Sequence, residues 1–120
     1  MPNAEIVSIG SELLLGQIVD TNATWMASRL TGLGVNLFYK TVVGDNAERM
    51  VEVIDRALNR SDIVITGGGL GPTQDDITRQ VISDVTNRKL IMDSRLIEQI
   101  QSRFQDRGLI TTPNNLRQAY

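Results

Sequence analysis

The chain has 120 residues, 41% hydrophobic and 22% charged, a length that fits one packed domain and leaves no room for two. Lys plus Arg number 12 against 14 Asp plus Glu, a formal net charge of -2, so no basic stripe exists to neutralise a nucleic-acid backbone. Cys and His are both absent, which excludes disulfides, thiolate and imidazole catalysis and the usual zinc ligands; carboxylates, hydroxyls, backbone amides and a hard, oxygen-liganded cation remain.

The first residues, Met1-Pro2-Asn3-Ala4-Glu5, carry no basic leader, and no apolar run approaches the roughly 18 residues a bilayer span requires. A cytoplasmic location is the default expectation, with neither membrane nor nucleic acid as partner. Glu5–Ile9 is short and β-branched and reads as a buried, central, parallel strand. Residues 10–16 read as a turn carrying one carboxylate, Glu12. A helical stripe then begins near Asn22, with Ala23, Met26, Ala27 and Leu30 on one face, Asp20, Thr21 or Asn22 as cap, and Gly32 or Gly34 as stop. Trp25 points away from that stripe and suggests a subunit contact.

Val35–Val43 is a second strand. Asp45 followed by Glu48 predicts a capped helix to about Asn59, its stripe being Met50, Val51, Ile54, Ala57 and Leu58. Asp62–Thr66 is a third strand. A helix starting near Asp75 or Asp76 turns Ile77, Val81, Ile82 and Val85 inward, Lys89–Met92 reads as a short extended piece, and a helix from Asp93 or Ser94 reaches Arg107. Strands alternating with helices in this way predict an α/β fold, a mostly parallel sheet covered on both faces. Thr112-Pro113 opens a last helix with no stop signal, and three strands are few where about 5–6 per sheet is usual. Residues 1–120 therefore read as one domain, truncated at its C-terminus, with no second domain.

The strongest local signal is the run from Ile65 to Asp76, in which a strand delivers its end to Gly67, Gly68, Gly69 and Gly71 and a helix follows. Ligands of open α/β sheets bind at this carboxyl edge, and glycine lets backbone amides approach an anion. The spacing is neither a Walker A loop, since no Gly-Lys-Ser/Thr follows, nor a dinucleotide fingerprint, since Pro72 stands where the third glycine belongs. Asp75 and Asp76 beside a phosphate would repel it unless a divalent cation intervened, which points to Mg²⁺ or Mn²⁺ and a metal-activated water. One of the two acids suffices as a helix cap; the second is unexplained by capping. Thr73 and Thr78 could donate to a ligand or serve the turn. Glu12 and Ser11, just past the first strand, fall on the same sheet edge. Arg79, Arg88 and Lys89 read as solvated helix-end charges.

Residues 10–22, 41–45 and 68–78 resemble, in order and with matching gaps, the N-terminal domain of the competence/damage-inducible (CinA) proteins. That domain is similar to the molybdenum-cofactor-biosynthesis, or molybdopterin-binding, family. The resemblance runs over essentially the whole chain; Ser11 stands where Thr or Asp is usual. It implies a three-layer α/β/α domain in which Glu12, Gly68, Gly69, Gly71, Asp76 and Thr78 line a site. For the CinA branch it implies metal-dependent hydrolysis of the pyrophosphate of ADP-ribose and related dinucleotides; for the cofactor branch, molybdopterin binding or adenylylation. The family continues into a Pro/Gly-rich motif that contributes to the same pocket, and CinA proteins normally carry a C-terminal amidase domain.

Taken together, the expected catalytic residues are Asp76, Asp75 and Glu12. The expected phosphate-binding residues are Gly67, Gly68, Gly69, Gly71, Thr73, Thr78 and Ser11. Asp75 and Asp76 are the expected ligands of a divalent metal (Mg²⁺, Mn²⁺ or Co²⁺). The expected partner is a small phosphorylated nucleotide or a pterin, and the resemblance adds a homo-oligomer, dimer or trimer. A non-catalytic binding module is the third reading.

Overall fold

A computed structural model describes residues 1–71, 73 and 76–120. Three strands, β1 (Asn3–Ile9), β2 (Asn36–Val43) and β3 (Ile63–Gly67), form an all-parallel sheet in the order β2-β1-β3. The central place of β1 follows from its residues. Ala4 through Ile9 are all buried, and a parallel strand covered on both faces must be apolar on both. The register pairs Ile9 with Val43 and Ser8 with both Val42 and Gly67, so the carboxyl ends of all three strands lie level. The pairing shifts between Ala4 and Glu5, leaving Phe38 of β2 without a partner in the register.

Helices α3 (Ala47–Arg60) and α4 (Thr78–Thr86) cover one sheet face. Met50, Ile54, Ala57 and Val81 join Val7, Ile9 and Val43 there in one core cluster. α2 (Thr21–Gly32) lies against the opposite face through Ala23, and Trp25, 62% exposed, points outward as the stripe required. The three-layer α/β/α arrangement with a parallel sheet is the expected one. α5 (Ser94–Asp106) and α6 (Pro113–Leu116), followed by a 3₁₀ turn at Arg117–Ala119, pack mainly on one another. The turn is fixed by its fully buried Ala119, whose carbonyl accepts from the Asp93 amide at 2.9 Å.

Several boundaries differ from those the sequence predicts. The turn after β1 contains a one-turn helix, α1 (Ser11–Leu14). The cap of α3 is Asn46, which accepts from the Arg49 amide at 3.0 Å, because the Asp45 carboxylate is drawn to Ser11. α4 starts at Thr78 rather than at the aspartates. Val51 and Leu58, expected inward, are exposed, while Val53 packs on the core.

Candidate functional site

Three glycine-bearing strand ends meet at the level carboxyl edge, and each leads into a segment that carries polar side chains. After β1, the Ser11 amide and hydroxyl donate to the Asp45 carboxylate at 3.3 and 3.2 Å, tying the β1 and β2 ends together. Ser11 is thus committed to Asp45. Glu12, on α1, lines a cavity of about 230 Å³ with Ser8, Asp20, Thr21, Asn22, Gly67 and Gly68. Asp20 also caps α2, accepting from the Ala23 amide at 3.1 Å.

The bend after β3 is held from one direction. Gly68 has φ +100° and a Cβ there would lie 2.1 Å from the Ile9 carbonyl oxygen; Gly69 has φ +66° and a Cβ would lie 2.1 Å from Thr78 Oγ1. Only glycine fits at either position. The carbonyls of this bend all turn toward α4. The fully buried Thr78 hydroxyl donates to Gly68 O at 2.9 Å and its amide donates to Gly69 O at 3.3 Å. Arg79 donates to Leu70 O at 2.8 Å and to Gly71 O at 3.2 Å, and Gln118, from the C-terminal turn, donates to Leu70 O at 3.2 Å. Carbonyl oxygens repel an anion, so tying down four in succession makes the remaining amides a concave donor surface. Among the described residues, the amides of Gly69 and Leu70 donate to no protein acceptor.

Asp76 sits at the far end of the bend. Its carboxylate accepts from the Thr73 hydroxyl and from the Thr73 amide at 3.2 Å. The Thr73 hydroxyl above all, then the backbone amides of Gly71 and Thr73 and the charge of Arg79, hold Asp76 below the usual carboxylate range against a partial desolvation. Asp76 is therefore an ionised acceptor that does not cap α4, and Thr73 is committed to it. It lines a second cavity, with Arg79 and Arg117, that shares no lining residue with the Glu12 cavity. Asp75 lies outside the described residues.

Two roles escape a reading of the sequence. Arg79 holds the loop rather than standing solvated, and the signal was available: a cation in the first turn of a helix opposes the helix dipole and calls for another partner. Gln118 carries no such signal, since its contact spans 48 residues.

Among the described residues no three carboxylates converge as a closed metal cage. Asp76 is a carboxylate at the bend whose oxygens already accept from Thr73 and Gly71, and the Gly69 and Leu70 amides are donors suited to an anion.

The fold and the glycine site define a class: the chain belongs to the probable molybdopterin binding domain family, whose model matches residues 5–118. Within that class its likeness is to CinA proteins. It is 46% identical over 116 residues to a CinA-like protein of Dictyoglomus thermophilum, covering 97% of this chain and 28% of that one. Against the crystal structure of a CinA protein "with unknown function" from Thermoplasma acidophilum it has a TM-score of 0.88 and 32% identity, covering 98% of this chain and 68% of that one. The molybdopterin biosynthesis enzyme MoaB from Thermus thermophilus shares the fold, with a TM-score of 0.69 at 21% identity over 75% of this chain and 58% of that one. The chain thus spans little more than a quarter of the length of its curated CinA-like relative.

Proposed function

We propose that this domain binds the diphosphate of an ADP-ribose-type dinucleotide on the glycine bend and that the CinA-like protein hydrolyses it with a divalent cation. The observation carrying this reading is the bend itself. Four carbonyls are fastened to Thr78, Arg79 and Gln118, two glycines admit no side chain, and Asp76 stays ionised beside them. Asp76, with Asp75 adjacent in sequence, is assigned to hold the cation. When bound, the cation would neutralise phosphate charge and lower the pKa of a water. The amides of Gly69 and Leu70 would hold a non-bridging oxygen, and Glu12 is assigned to accept the proton of the attacking water. Water oxygen bonds to one phosphorus as the bridging oxygen departs with the other phosphate, giving AMP, ribose 5-phosphate and released protons.

AMP release from ADP-ribose should depend on Mg²⁺, Mn²⁺ or Co²⁺ and fall at least 100-fold in Asp76→Asn, on the scale expected when a charge-stabilising group is removed. Undiminished turnover in that variant would falsify the assignment. The family match supports a second reading, molybdopterin binding, for which the cavity beside Glu12 offers Ser8, Asp20 and Asn22 as pterin partners. Calorimetric titration with molybdopterin separates the two: heat with the pterin and no AMP release favours the second.

A further inference from the structure

The second cavity beside the bend has a composition that its role in holding the loop does not explain. About 460 Å³ in volume, it is lined by Arg79, Arg117, Gln80 and Tyr120 together with the apolar Ile77 and Leu90 and with Asp76. Among the described lining residues two are arginines and one is a carboxylate, and that carboxylate accepts from Thr73 and Gly71. Arg79 uses its two terminal nitrogens on loop carbonyls. Arg117 is half-buried, and its guanidinium makes no hydrogen bond or ion pair among the described residues, while its backbone carbonyl accepts from the Tyr120 amide. It is not a loose end. It opens the 3₁₀ turn that the Asp93 amide, donating to the buried Ala119, fastens to the start of α5 and that the Gln118–Leu70 bond fastens to the glycine bend.

We infer that Arg117, with Tyr120 and Gln80, forms an anion subsite for a phosphate group of a small phosphorylated ligand, separate from the loop amides and from the cavity beside Glu12. A partly desolvated guanidinium on a rigid turn is a planar donor fork matched to phosphate oxygens. The partial burial of Arg117 strengthens that contact relative to one made in open water. The subsite rests on the diphosphate reading and deepens it: it gives the second phosphate, or a distal phosphoryl group, a place on the α4 side of the bend.

Binding of inorganic pyrophosphate, in metal-free buffer with chelator, tests it on the 120-residue chain. Arg117→Gln should weaken pyrophosphate at least tenfold without moving the thermal midpoint, and Arg117→Lys should fall between, keeping the charge and losing the fork. Adenosine affinity should not change. Equal pyrophosphate affinity in Arg117→Gln and the parent, or no pyrophosphate binding by the parent, would overturn the subsite. The hydrolase reading fails separately. Arg117-dependent pyrophosphate binding without AMP release supports the subsite and sinks the hydrolase; AMP release with an unchanged KM for ADP-ribose in Arg117→Gln does the reverse.

Discussion

Glu5 is a carboxylate on the central strand with 1% of its surface exposed, a position that would be costly without partners. Arg60 supplies two bonds, from Nε at 2.5 Å and Nη2 at 3.1 Å, and the Ser61 hydroxyl donates a third at 2.8 Å. Arg60 also stacks on Tyr39, 3.5 Å from the ring centroid, so the end of α3 is pinned to both β1 and β2. The Arg60 hydrogen bonds outweigh desolvation and hold Glu5 below its ordinary 4.5, as the Thr73 bond holds Asp76 below its ordinary 3.8. The sign is that of a depressed acid. The unfolded chain binds more protons, so this stability is complete above the ordinary values and is lost as pH falls through the lower folded ones. Glu5→Gln should cost about 1–3 kcal/mol near pH 7, the scale of charge-assisted hydrogen bonds left broken. The gap in thermal midpoint between variant and parent should narrow as pH falls from about 5 to about 3. A gap that stays constant across that range would show that Glu5 does not fold as a charged group.

At the scale of elements, the sequence reads well wherever a period exists to be read. Ala23, Met26 and Leu30, or Met50, Ile54 and Ala57, recur at helical spacing, and β1 is a short β-branched run ended by Gly10, so residue spacing alone places α2, α3 and the sheet. α1 is four residues long, too short to show a period. Asp45 and Asn46 are both good caps, and only a contact with Ser11, 34 residues away, decides between them. The same limit hides how α4 meets the glycine bend. The glycines announce close backbone approach, but which carbonyls they present, and to whom, depends on Arg79 and Gln118. Arg79 is a positioning residue, and its removal should loosen the bend without disturbing the helix. Arg79→Ala should speed amide hydrogen exchange at Gly69–Gly71 and weaken pyrophosphate about tenfold, the loss of roughly one charge-assisted hydrogen bond. Arg79→Lys, which reaches one carbonyl, should recover part of both. Unchanged exchange at the bend in Arg79→Ala would show that Thr78 alone sets its shape.

At the scale of the whole molecule, surface area is the telling quantity. The chain exposes 8258 Å² for 13.3 kDa, whereas a compact monomer of that mass exposes about 6,450 Å². Its radius of gyration is 16.0 Å against about 13.6 Å for a compact chain of this length. The surplus, about 1,800 Å², exceeds the roughly 800 Å² each partner contributes to a standard interface. Part of it is apolar and contiguous: Trp25, Met26, Leu30, Leu33 and Ile65 line a groove of about 550 Å³ between α2 and β3, at an edge of the sheet. Arg29 and Ser28 also line the groove, with the Arg29 guanidinium over the Trp25 ring at 5.2 Å. Exposed Trp25 and Leu33 beside such a groove are surface that association would bury. We expect a second copy of the chain to cover the groove, consistent with the outward Trp25. Because association binds the folded state, the thermal midpoint should rise with protein concentration, by the mass-action relation, between about 1 and 100 μM. Trp25→Lys should flatten that rise, because it sets a charge on the groove without touching the glycine bend. A midpoint independent of concentration in the parent would rule out self-association and leave the groove to the remaining length of a longer CinA-like chain.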